Sequence, residues 1–259
     1  VTAWNEAKQE PAWYKTPNEF RPFLISWGGA EAYLVNSHFT SFGYNASKAY
    51  GISISQYSPG MDKTMKRPRP QGWVLDSTFE DAWYGFYCYE AYDVVLRGNT
   101  YRNNLVYGID PHDRSRRLII AENTAYGTVQ KHGIIISREV NDSWIINNKS
   151  YDNKLSGVVI DRNSVNNLIA DNEIYRNHSD GITLYESADN LIYGTTDKSY
   201  PLLVPQVSYN GKNYLPVTYY QNLSVQDAAG IVTVTFDTTK FRLNSKKRTL
   251  NLLMYLTRT

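Results

Sequence analysis

A chain of 259 residues can bury a substantial core, and its 22 tyrosines with recurrent Val, Ile and Thr favour strands over helices. The net charge of +2 gives no ground for a nucleic-acid partner, and no apolar run approaches the roughly 18–20 residues of a membrane span. The single cysteine, Cys88, excludes an internal disulfide framework.

The sequence opens at Val1 without a charged and apolar leader, so it reads as a mature or truncated product. Pro11, Pro17 and Pro22 interrupt any regular element before Phe23–Trp27, which reads as a first strand ended by Gly28-Gly29. Short strands are expected at Ala32–Val35 and Gly51–Gln56. Residues 57–72 carry Lys63, Lys66, Arg67 and Arg69 among Pro68 and Pro70. They read as a solvated basic loop, with a wall that attracts a polyanion as the alternative.

From residue 73 to residue 194 the sequence repeats. Glycine followed by an apolar residue recurs at Gly85-Phe86, Gly108-Ile109, Gly133-Ile134, Gly157-Val158 and Gly181-Ile182, at intervals of 23, 25, 24 and 24. Asparagine closes a short apolar run at Asn99, Asn123, Asn148 and Asn172, at intervals of 24, 25 and 24. Two markers with one period signal stacked repeats. Neither a leucine pattern nor a helical i, i+3, i+4 pattern is present. The fold expected is therefore all-β, a right-handed parallel β-helix with one coil per repeat. Asparagines at equivalent turns would stack and satisfy buried backbone groups.

Stacking turns equivalent positions into columns. The residue after each glycine is Phe, Ile or Val, as an inward column requires. Four residues after each glycine stand Tyr89, His112, Ser137, Asp161 and Tyr185, and next to them Glu90, Asp113, Arg138, Arg162 and Glu186. Before each glycine come Tyr84, Tyr107, His132, Ser156 and Asp180. These ionisable columns read as a groove along the solenoid, centred on the coil of Tyr107–Arg114. There Pro111 holds Asp110 extended, so Asp110 and His112 face the same way.

A groove crossing several coils suits a linear polymer, and Arg138 and Arg162, near Lys131, suit carboxylates because guanidinium pairs with them in a bidentate fork. On a polyuronate the characteristic non-hydrolytic chemistry begins with the C5 proton, which is poorly acidic while the neighbouring carboxylate keeps its charge. A cation pressed on that carboxylate and a near-neutral base beside C5 are required. His112 and Arg138, one coil apart, supply them. Asp110 or Asp113 could orient the imidazole, and Tyr107 could return a proton to the opposite face. An exposed imidazole and an Arg138 ion pair to Asp113 or Glu139 are the plain alternatives. Asp110, His112 and Asp113 could also suggest a metal, but no zinc spacing or calcium-loop pattern occurs.

The segments YGIDPHDRS, KHGIIISREVNDSW, NKLSGVVIDRNS and NHSDGITLYES, with Tyr50–Ser53 and GFYCYE at Gly85–Glu90, resemble the periplasmic mannuronan C-5-epimerases. The resemblance covers about residues 1–194 as an epimerase β-helix domain lacking some coils at both ends, and leaves 195–259 unassigned. It implies conversion of β-D-mannuronate to α-L-guluronate within alginate, in the periplasm, without a cofactor or metal, alongside other proteins of alginate biosynthesis and export. His112 would be the base and Arg138 the carboxylate neutraliser, with Tyr107 or a water as the acid and Asp110 in the catalytic group. Asp113, Arg114, Lys131, His132, Asp161, Arg162, His178 and Asp180 would contact substrate. A lyase acting through the same C5 carbanion and a non-catalytic alginate-binding scaffold are the competing readings.

Overall fold

A computed structural model describes residues 1–12, 19–56 and 68–195 and the strands Gln206–Tyr209 and Lys212–Asn213. Residues 57–67 of the basic loop and most of the unassigned segment 195–259 lie outside the described residues. Every described element is a strand, and the strands wind into a parallel β-helix with three sheets. A seven-stranded sheet runs from Glu31–Val35 to Leu191–Tyr193, and a six-stranded one from His38–Thr40 to Glu173–Tyr175. The third sheet, nine-stranded, carries Leu24–Trp27, Gly51–Ser55, Tyr84–Tyr89, Tyr107–His112, Ile134–Ser137, Val158–Asp161 and Ile182–Tyr185 before Gln206–Tyr209 and Lys212–Asn213. An antiparallel pair, Trp4–Asn5 with Glu10–Pro11, precedes the first coil.

The expected strands are found at Leu24–Trp27, Glu31–Val35 and Gly51–Ser55. In the third sheet, Ile52, Phe86, Ile109, Ile134, Val158 and Ile182 pair in register from coil to coil. All six are buried, the least so at 4% exposure. Each such side chain contributes roughly 1.5–3 kcal/mol by leaving water. The column thus extends back beyond the sequence repeat, to Ile52 and to Leu24, which pairs with it.

The asparagine column is a ladder in space. The Asn99 backbone N–H and Nδ2 both donate to Asn123 Oδ1 at 3.0 Å, and Asn123 repeats this onto Asn148. Asn148 does the same to Asn172, while its own Nδ2 also donates to the Ile120 carbonyl at 2.8 Å. Each coil corner is therefore closed by buried amides with satisfied partners.

Candidate active site

The site lies on the outward face of the nine-stranded sheet. His112 pairs with Tyr89 on one side and Ser137 on the other, and Ser137 with Asp161, so the predicted column is a real row. The next row, Glu90, Asp113, Arg138, Arg162 and Glu186, occupies a corner where every residue has positive φ, from 38° to 63°. That left-handed geometry costs roughly 1 kcal/mol or more for a side chain with a Cβ. It turns the chain out of the sheet and leaves these charged side chains at the rim of the row containing His112.

An open cleft of about 280 Å³ is lined by Ser47, Lys48, Tyr50, Tyr84, Tyr87, Tyr89, Asp110, His112, Asp113 and Arg138. His112 Nδ1 hydrogen-bonds Asp113 Oδ2, and Asp113 Oδ1 lies 3.8 Å from Arg138 Nη1. Burial would raise the Asp113 carboxyl, but the His112 hydrogen bond and the charges of His112, Arg138 and Arg114 hold it below its ordinary value. An ionised carboxylate only accepts, so Nδ1 carries the proton. In the neutral imidazole the lone pair is then on Nε2. Burial pulls the His112 pKa down, yet the Asp113 bond and the Asp110 and Asp113 charges outweigh it, and the net shift is upward.

Asp110 forms the floor. It is 2% exposed, and its Oδ1 has no hydrogen-bond partner among the described residues. Burial pushes its pKa up to about 7, against the opposing charges of His112, Lys131 and Arg138. The imidazole is thus held by Asp113, not by Asp110. On the other flank a row of rings runs along the solenoid. Tyr50 stacks on Tyr84 at 4.6 Å, Tyr84 meets Tyr107 edge-on at 4.9 Å, and Tyr107 stacks on His132 at 6.0 Å.

The remaining predicted residues are spread more widely. Tyr107 is on the ring flank but outside the cleft lining, with its hydroxyl accepting from Lys131 Nζ at 3.2 Å. His132 Nδ1 accepts from the Ser156 backbone at 3.1 Å, and burial lowers its pKa to about 4, which keeps it neutral. Asp161 takes a 3.0 Å bond from Ser137 and lies 3.4 Å from Arg162, one coil beyond Arg138. Asp180 accepts from Thr183 at 2.9 Å, farther along the ring flank. Arg114 is turned onto Glu90 Oε1 at 3.1 Å. His178 is exposed at the corner before the sheet, its backbone N–H bonded to Asn153, and is not brought to the cleft.

Ser47, Lys48, Tyr50 and Tyr87 line the cleft without belonging to any column read from the repeat, and the first three come from one segment. Those three ride on an excursion at residues 43–50, closed by the Tyr44 N–H to Ala49 carbonyl bond of 2.9 Å. Lys48 is buried, donates to the Gln56 carbonyl at 2.8 Å and covers the Tyr89 ring at 3.9 Å. The available signal was Gly51-Ile52, a further glycine–apolar pair.

The family described as periplasmic copper-binding protein (NosD) matches residues 34–196. The chain belongs to the NosD family. The mannuronan C5-epimerase of Pseudomonas aeruginosa is 82% identical to this NosD-family chain over 194 residues, 75% of this chain and 36% of that protein. The mannuronan C5-epimerase AlgG of Azotobacter vinelandii is 59% identical over 227 residues, 87% of this chain and 42% of that one. The crystal structure of the periplasmic alginate epimerase AlgG superposes with a TM-score of 0.74 at 62% identity, covering 75% of this chain and 46% of that chain. The NosD-family chain thus spans less than half the length of these relatives. Copper appears in the family's description, but among the described residues no three His, Cys, Asp or Glu side chains converge as a ligand set. Cys88 is buried against Ser115. The residues do not fit the metal, and no step is derived through it.

Proposed function

We propose that this chain inverts C5 of β-D-mannuronate to α-L-guluronate within a polymer. The observation that carries the reading is the Arg138–Asp113–His112 series on one flank of an open cleft, with phenols on the other. A uronate seated over Asp110 would place its carboxylate toward Arg138 and its C5 hydrogen toward His112 Nε2. The C5–H bond breaks, the proton passes to His112, and the electron pair spreads into the carboxyl group. Arg138 stabilises that developing charge, in the manner of a preorganised donor aimed at an oxyanion. A proton arriving from the ring flank then forms the new C5–H bond with inverted configuration.

The names of the two epimerase relatives and the fold shared with the periplasmic alginate epimerase support polymannuronate as substrate and the periplasm as compartment. Within the same reading the chain works beside other proteins of alginate biosynthesis and export. Among the described residues no helix is long and apolar enough to cross a membrane.

The test is a proton NMR spectrum of polymannuronate before and after incubation with the 259-residue chain. New guluronate signals are expected without unsaturated ends. Unsaturated ends alone would make it a lyase, and an unchanged polymer that still binds would make it a scaffold.

A further inference from the structure

We propose that Tyr50 is the acid that returns the proton to C5, from the flank opposite His112. This rests on the epimerase reading. Inversion needs two groups on opposite faces of one carbon, and the sheet supplies two flanks separated by the floor of Tyr87 and Asp110. His112 belongs to the row four residues after the glycines. Tyr84 and Tyr107 pair in the row just before them, preceding Gly85 and Gly108, and Tyr50, preceding Gly51, joins that row through its ring, because a bulge at Gly51/Ile52 sets Gly51 opposite Tyr84. Of these three phenols, Tyr50 and Tyr84 line the cleft that holds His112 and Arg138, and Tyr107 does not.

Packing separates the two that remain. The Tyr84 ring is enclosed between Tyr50 at 4.6 Å and Tyr107 at 4.9 Å, which fixes it as part of the wall. Tyr50 stands at the end of that row, half-buried, and meets the floor residue Tyr87 edge-on at 4.9 Å. Tyr87 in turn lies 5.9 Å from the His112 ring, and it meets Tyr84 only at the longer distance of 6.2 Å, so Tyr50 has the closer link to His112. The charges agree with the geometry. Burial and Asp110 raise the Tyr50 pKa, while a backbone hydrogen bond at Lys48 and the Arg138 charge act the other way. Tyr84 has Asp110, Tyr107 and Tyr50 as its charge partners, none of them on the Arg138 flank.

The step balances without a co-reactant. The Tyr50 O–H bond breaks as the C5 electron pair takes the proton, leaving a phenolate favoured by the Lys48 backbone hydrogen bond and the Arg138 charge. The phenolate then recovers a proton from water, and the protonated His112 releases one.

The experiment compares wild type, Tyr50→Phe and Tyr107→Phe, each as the full chain, on polymannuronate in heavy water, read by NMR. Phenylalanine keeps the Tyr50–Tyr84 ring stack, and an unchanged melting temperature shows that the fold is intact. With Tyr50→Phe, guluronate formation should fall by about 10²-fold or more, the usual size of a general-acid contribution. Deuterium should still enter C5 of mannuronate, because His112 continues to remove that proton and return one to the same face. Guluronate formed by Tyr50→Phe at the wild-type rate overturns the proposal, and so does joint loss of inversion and exchange. Inversion lost with exchange retained in Tyr107→Phe instead would transfer the role to Tyr107. Wild type that forms no guluronate would refute the epimerase reading itself, a separate outcome.

Discussion

Asp113 decides what His112 can do. A solvated imidazole would titrate near its ordinary value and rotate freely, whereas Asp113 fixes the tautomer and raises the pKa. In the proposed mechanism His112 works unprotonated, so the rate should climb with pH through that raised value. Asp113→Asn removes the charge that favours imidazolium, and the acid limb of kcat/KM should move to lower pH. The plateau should fall as well, because an amide can hold either tautomer. Asp110, with a pKa near 7, titrates in the same window, so the limb belongs to the pair. A limb that moves up in Asp113→Asn would contradict this arrangement. His112→Ala should cost about 10²–10⁴-fold in turnover with polymer binding retained, measured by initial rates beside a binding isotherm. Arg138 illustrates where the sequence stops: its ion pair to Asp113 and its place beside the base are both present in the structure. Only three-dimensional placement shows that the two coexist.

At the scale of the coil, the glycine marker has a packing cause. A Cβ on Gly108 would lie 2.5 Å from the Gly133 carbonyl oxygen and 3.2 Å from the Ala125 Cβ. The position faces inward against the next coil's backbone, which cannot yield as a flexible side chain would. Gly108→Ala should therefore destabilise the fold by about 1–3 kcal/mol, read from a denaturant midpoint at unchanged slope. A neutral substitution would mean that the coils can separate locally. This rigidity is also why the repeat was legible: a fixed clash recurs at a fixed period. What stayed hidden lies where the period fails. Ile52 belongs to the same column, but a bulge sets Gly51 opposite Tyr84, and 34 positions part Gly51 from Gly85 where the period is about 24. A further ladder, through Thr128, Asn153 and Asn177, also escaped because it mixes residue types that share only hydrogen-bonding capacity. Lys48 and Tyr50, carried to the cleft by the 43–50 excursion, were lost with that coil.

Across the whole molecule, the cleft draws on four successive coils, from Tyr50 through Tyr84 and His112 to Arg138. At roughly 4.8 Å per coil that is a length suited to a chain, not a single sugar. Attraction to a polyanion must be local, because the net charge is only +2 and the Debye length at 0.1 M salt is about 10 Å. Arg162 tests how far the polymer site extends. It sits one coil past Arg138, half-exposed and beside Asp161, outside the cleft lining. A cation there can hold a neighbouring carboxylate equally in the ground state and the transition state, which changes KM and leaves kcat alone. Arg162→Ala should accordingly raise KM for polymannuronate by about 2- to 5-fold with kcat within about twofold, the range of an exposed rim contact of about 0.4–1 kcal/mol. The KM difference from wild type should shrink as salt is raised. A collapse of kcat at unchanged KM would place the reacting sugar a coil further along than His112 and Arg138 put it.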